Sequence, residues 1–234
     1  MYISSKAIVL SSVRYQEKSL IVKCFTEKDG VKTYFVKNAF SKSKTQNISY
    51  FQPLTLLQIQ YKEKNSSTLN YFHSINLLQP YTTIYTDFNK SIVVMFLAEI
   101  LNNILQEDQH SPDLFTFLEN SFIWYDMADW NPDFHLYILF QVTKFLGFYP
   151  DDNFTSELYF NKKEGAFTNV FSLDCFNEEE TNSFKKGLTL EISEKRELYG
   201  KERKNILHTI IEYYQTHQKR LNKINSLEVV SELF

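Results

Sequence analysis

The chain has 234 residues, 43% of them apolar and 16% aromatic, which excludes a disordered polymer and leaves enough chain for one large or two small cores. Its formal charge is -3, and its two cysteines, Cys24 and Cys175, exclude a disulfide framework and a four-cysteine zinc centre, as suits a reducing compartment. The longest apolar run, from Ile92 to Ala98, is far too short for a bilayer, and the opening Met1-Tyr2-Ile3-Ser4-Ser5-Lys6 lacks a signal-peptide pattern, so the expected location is cytoplasmic.

Strand patterns fill the first 80 residues. Residues 6–15 carry Ala7-Ile8-Val9-Leu10. Residues 19–26 put Leu20, Val22 and Cys24 on one face and Ile21 and Phe25 on the other. After a turn at Lys28-Asp29-Gly30, where glycine tolerates positive φ, residues 31–36 resume the alternation. A polar stretch at 38–49 precedes apolar runs at 51–61 and 69–78. Five short strands in so little chain predict a small closed barrel of the oligonucleotide-binding (OB) type.

From Thr82 the period changes. Phe88, Ile92, Met95, Phe96, Ile100, Ile104 and Leu105 recur at three- and four-residue spacing and predict a helix. Ser111-Pro112-Asp113 and Asn131-Pro132-Asp133 each combine a cap, a proline and an acid, and open two more helices, the second ending near Gly147. Residues 157–171 read as a hairpin-like insertion, and Asn177 with Glu180 reads as a capping box. Residues 201–217 form a long helix with Ile206, Ile210 and Tyr214 in its stripe, and Ser226 caps a final turn. The predicted fold class is α+β. An OB barrel over residues 1–80 is followed by an α-helical domain over 81–234, with a small β-hairpin-like insertion at about 157–175.

Charge is segregated along the chain. Lys and Arg outnumber acids 11 to 4 over residues 1–80, fall to 4 against 17 over 81–180, and recover to 10 against 7 in the remainder. Such asymmetry points to a polyanionic partner for the basic head.

Enzymatic readings fail on composition. The five glycines form neither a P-loop nor a dinucleotide fingerprint, and no H-E-x-x-H or G-x-S-x-G occurs. The five histidines include no pair at helical metal-ligand spacing. No catalytic residue, cofactor or metal is expected, and the chain is not expected to be an enzyme. The binding reading is better supported. Lys6, Arg14, Lys18, Lys32, Lys37, Lys42 and Lys44 would neutralise phosphates, and Tyr34 and Phe40 would stack bases, whereas Phe35 is assigned to the core. In the tail, Arg203, Lys204, Tyr214, His217 and Arg220 are the expected contacts for an acidic peptide. Two alternatives are an interaction scaffold built on the acidic middle and an RNA-binding barrel, because phosphate contacts do not distinguish sugars.

The run Tyr15-x-Glu17-x-Ser19-Leu20-Ile21-Val22, with Phe25-Thr26 and Gly30, resembles the opening of the bacterial RecO family of DNA repair proteins. The similarity continues through Val36-Lys37-Asn38-Ala39-Phe40-Ser41-Lys42-Ser43, Phe51-Gln52-Pro53-Leu54 and Phe145-Leu146-Gly147-Phe148-Tyr149-Pro150 to the helix with Tyr214 and the closing Ser226-Leu227-Glu228-Val229. The resemblance implies an OB barrel, a helical body and a recombination mediator that binds single- and double-stranded DNA and anneals strands. It also implies action with RecR and docking of the acidic C-terminal tail of SSB, so that RecA can load, with no membrane involved and with association to the nucleoid when DNA is bound. Some members carry a four-cysteine zinc module after the Leu-Gly-x-x-Pro segment. Here residues 158–175 hold only Cys175, so zinc is not expected and Tyr159, Phe160, Phe167 and Phe171 must fold the insertion themselves. Arginine is scarce, and lysine in its place loses bidentate recognition.

Overall fold

In the computed structural model, which describes residues 2–40, 48–62, 69–107, 110–153, 156–192, 198–221 and 223–233, five strands occupy the N-terminal region. They are β1 (Tyr2–Tyr15), β2 (Ser19–Thr26), β3 (Gly30–Val36), β4 (Leu56–Lys62) and β5 (Phe72–Leu77), hydrogen-bonded in the order β3-β2-β1-β4-β5. β1 begins four residues before the apolar run that announces it, and the segment expected as one strand over 51–61 is a 3₁₀ turn, Ile48–Phe51, followed by β4. β1 is long enough to serve two partners: Tyr2 to Ile8 pairs with β4 and Ala7 to Tyr15 with β2. A register shift between Val9 and Ser11 bends it from one partner to the other.

The sheet closes through a parallel bridge between Tyr34 and Asn70. The Phe35 amide donates to the Asn70 carbonyl at 2.8 Å, and the Asn70 amide donates to the Thr33 carbonyl at 3.0 Å. This is the OB-type barrel, with Val9, Val22, Cys24, Leu57, Ile59 and Tyr61 inside it. Tyr34 stacks on Phe72 at 4.1 Å between ring centroids and meets Tyr61 edge-on at 5.6 Å. The Tyr61 hydroxyl donates to Asp29.

The strands give way to helices after β5, but the compact unit that contains the barrel runs from Met1 to Met127 and includes α1 (Phe88–Ile104) and α2 (Pro112–Met127). Three contacts show why. Phe25 packs on Phe115, Lys23 Nζ donates at 2.7 Å to the Asn102 carbonyl near the end of α1, and Lys6 Nζ pairs with Glu119 Oε2 at 2.8 Å. A further anchor is Asp126, whose carboxylate accepts from the amides of Thr82, Thr83 and Ile84 at 2.8–3.0 Å. Burial pushes this carboxyl up, yet those backbone donors outweigh it and hold it below its ordinary value. Lys90, buried beneath the same turn, donates to Thr83 Oγ1 at 2.7 Å.

The second unit, Ala128–Phe234, contains α3 (Phe134–Leu146), α4 (Glu178–Leu188), α5 (Gly200–His217), the short α6 (Leu227–Glu232) and three small strands. The insertion is a three-stranded sheet rather than a hairpin: β6 (Tyr159–Asn161) pairs with β7 (Ala166–Thr168) and also with β8 (Cys175–Phe176). Its centre is Phe160, fully buried and ringed by Phe167, Phe176, Phe184 and Tyr213 at centroid distances of 4.4–5.9 Å. Aromatic packing of this kind supplies directional contacts beyond area burial. The Asn177 and Glu180 capping box forms as expected and starts α4. Gly187 lets α4 approach α3, because a Cβ there would lie 2.3 Å from the Phe140 ring.

Candidate nucleic-acid interface

Strand alternation gives the barrel wall two faces. On β2 and β3 the even-numbered residues Leu20, Val22, Tyr34 and Val36 point inward, while Ile21, Lys23, Phe25, Thr33 and Phe35 lie on the outer side. Register aligns Val13, Ile21 and Phe35 across three strands. Helices cover the outer face around Phe25 and Lys23 but leave this row uncovered: Val13 is 60% exposed and Tyr15 is 44% exposed. Phe35 contacts Tyr15 edge-on at 5.9 Å and Tyr71 at 5.8 Å, and Tyr71 is 51% exposed. The exposed Val13, Tyr15 and Tyr71 thus lie beside the half-buried Ile21 and Phe35 in one patch drawn from β1, β2, β3 and the approach to β5.

Cations border it. Lys18 is exposed in the β1–β2 turn, and Lys37 is exposed one residue beyond β3. Because Leu20 pairs with Val36, both lie at the same end of the β2–β3 ribbon. Arg14, also exposed, sits 4.9 Å over the Phe40 ring and donates to the Glu17 carbonyl at 2.9 Å. An aromatic patch with a rim of positive charge offers bases ring faces to stack on and phosphates a counter-charge.

The structure corrects several sequence expectations. Tyr34 is not a stacking residue, since it is wholly buried in the barrel core, and Phe35 takes the outward place that Tyr34 was expected to fill. An aromatic pair at consecutive positions must split between faces, and the sequence does not say which faces in. Lys6 is engaged by Glu119 and does not offer its charge to a phosphate. Lys32 lies opposite Cys24, on the same side of β3 as Tyr34, half-buried and away from the aromatic row. Lys42 and Lys44 lie outside the described residues. Arg14, Lys18, Lys37 and Phe40 do gather at one end of the barrel. Tyr15, Ile21 and Tyr71 were overlooked, although the alternation that assigned Ile21 to its own face was a usable signal.

The expected peptide site does not assemble. Arg203 is buried, with Nε 2.6 Å from Asp133 Oδ1 and a terminal nitrogen 2.7 Å from the Leu198 carbonyl. Tyr214 is fully buried and donates to the Leu139 carbonyl at 2.8 Å. His217 is half-buried, stacked on Phe148 at 4.9 Å, with Nε2 2.8 Å from the Lys162 carbonyl oxygen. Only Lys204 and Arg220 of that set are exposed. The acidic middle is likewise partly consumed by folding, since Glu119, Asp126 and Asp133 are buried against a lysine, backbone amides and an arginine. That weighs against a scaffold built on its negative charge. Among the described residues no helix is long and apolar enough to cross a membrane.

Family models for the recombination protein O N terminal and C terminal match residues 1–81 and 85–222. The chain is 44% identical to a DNA repair protein RecO of Flavobacterium psychrophilum and 44% identical to one of Flavobacterium johnsoniae, in each case across the full length of both chains. A DNA repair protein RecO of Bacteroides fragilis is 30% identical over 97% of each chain.

Proposed function

The chain belongs to the RecO family of DNA repair proteins, and on that premise we propose that it is a non-enzymatic recombination mediator whose barrel holds single-stranded DNA on the face bearing Val13, Ile21 and Phe35. The observation that carries this reading is the aromatic row itself, a half-buried Phe35 in ring contact with the exposed Tyr15 and with the exposed Tyr71, rimmed by Arg14, Lys18 and Lys37. Bases stack on the rings irrespective of sequence, and the cations follow the phosphates. A strand held by backbone and stacking keeps its pairing edges accessible, which is the geometry that annealing of complementary strands requires. In the cell this protein would act with RecR and SSB to load RecA. With Arg203 and Tyr214 in the core, the acidic tail of SSB would meet the exposed Lys204 or the Lys219 and Arg220 pair beyond α5.

Fluorescence anisotropy with a labelled single-stranded oligonucleotide tests the assignment. Replacing Phe35 and Tyr71 together by Ala should weaken binding by about 2–6 kcal/mol, from about 1–3 kcal/mol per stacked base, with the circular dichroism spectrum unchanged. Undiminished affinity in a folded double variant would remove this face from the binding site.

A further inference from the structure

Within the second unit, Glu180 on α4 and His208 and Glu212 on α5 bring three metal-ligating side chains together, their ligand atoms all within 4.8 Å of one another. We propose that these residues bind a divalent cation of the zinc class and that the ion clamps α4 to α5. His208 and Glu212 are four residues apart on one helix face, with Nε2 3.8 Å from Glu212 Oε2. Each carboxylate already has one oxygen fixed from outside the trio. Lys162 Nζ, from the small sheet, holds Glu212 Oε1 at 2.6 Å, and the Asn177 amide holds Glu180 Oε2 at 3.0 Å. Outer partners of this kind orient ligands and leave the other oxygen to the metal. A cavity of about 200 Å³ lies alongside, lined by Asn177, Ser183, Asn205, Glu180 and His208 among others, with room for an ion and its remaining water.

The donor set selects the cation. One imidazole with two carboxylates matches zinc and its borderline neighbours, whereas magnesium and calcium take oxygen ligands. Zinc bonds of roughly 2.0–2.2 Å arranged as a tetrahedron put ligand atoms about 3.3 Å apart, so the side chains must close in modestly. The His208 side chain, 71% exposed, can swing to do so. Three protein ligands leave the fourth position to water. The site involves neither cysteine and is separate from the barrel face.

Isothermal titration of zinc into the metal-stripped full-length protein should give one ion per chain, together with a rise in melting temperature that magnesium does not produce. His208→Ala and Glu180→Gln should each lower zinc affinity by more than about 100-fold, beyond the roughly 10–100-fold that loss of an outer-shell partner alone costs. His208 is exposed, so its variant will fold, and circular dichroism will confirm it. Absence of saturable zinc uptake at micromolar metal, or uptake unchanged in both variants, would overturn the proposal.

Discussion

Arg14 in the N-terminal unit and Arg203 in the C-terminal unit share a side chain and little else. Arg14 lies exposed at a barrel end over Phe40, whereas Arg203 is sealed against Asp133 in the helical core. The same division runs through the aromatic residues. The barrel leaves Tyr15 and Tyr71 exposed and Phe35 half-buried, while the second unit spends Phe160, Phe184 and Tyr213 on packing. At these positions the first unit leaves rings within reach of a ligand, and the second uses the same residue types to hold itself together. Counting cations and rings along the chain does not separate these uses, because only the neighbours of a side chain decide whether its charge or ring is still available.

The largest effect that would test this contrast is at Arg203. Arg203→Ala strands the buried Asp133 carboxylate and should lower the stability of the second unit by about 3–5 kcal/mol. Arg14→Ala should leave urea unfolding almost unmoved, since an exposed cation–π contact contributes only about 0.5–1 kcal/mol. Equal effects at the two sites would break the comparison.

Consecutive residues on β3 sharpen it next. Tyr34→Ala should destabilise the barrel by about 3–5 kcal/mol as a core truncation, visible in thermal melts. Phe35→Ala should weaken single-stranded DNA binding while changing the melt far less. A reversal would place the stacking face on the inner side of the wall.

Acid should distinguish the units as well. His135 in the second unit is fully buried; burial first, and the Arg203 charge second, hold its imidazole down at about 3, against a smaller opposing hydrogen bond at Pro132. Unfolded, it takes up a proton near pH 6.5. Its contribution to stability is therefore complete above pH ~6.5 and declines as pH falls from there towards about 3, by at most about 1.4 kcal/mol per pH unit. Asp126 in the first unit has a lowered folded value, so its contribution persists until pH falls below the unfolded carboxylate value of about 3.9. Hydrogen exchange at about pH 5 should show protection lost in the second unit before the first, and His135→Asn should remove the difference.

The smallest expected effect is at the rim. Replacing Lys18 or Lys37 by Ala should reduce the slope of log affinity against log salt by about 0.7 each on a single strand, whereas Lys6→Ala should leave it unchanged because Glu119 already occupies that charge. Salt titrations of the three variants check this.

Much of the architecture is legible in the sequence. Two-residue alternation marked β2 and β3, three- and four-residue spacing marked α1, and the Asn177 and Glu180 pair marked the start of α4. These signals are local, since each depends on side-chain direction within one element. The third strand of the insertion escaped notice because β8 has only two residues, too few to show a period. Among the candidate binding residues, Lys18, Lys37, Arg14 and Phe40 lie exposed, while, against expectation, Lys6 is paired and Tyr34, Arg203 and Tyr214 are buried. In each of those failures the deciding partner is distant in sequence: Phe72 for Tyr34, Glu119 for Lys6, Asp133 for Arg203 and Leu139 for Tyr214.

By itself, then, the order of amino acids marked the main strands of the head and the main helices of the body, the OB-type plan of the head, and the family to which the chain belongs. Tertiary structure alone decided which cations and rings remain for a ligand. The physical reason is range: periodicity, caps and turns act over a few residues, whereas burial of a charge or a ring depends on partners that folding brings from 30 to more than 100 residues away.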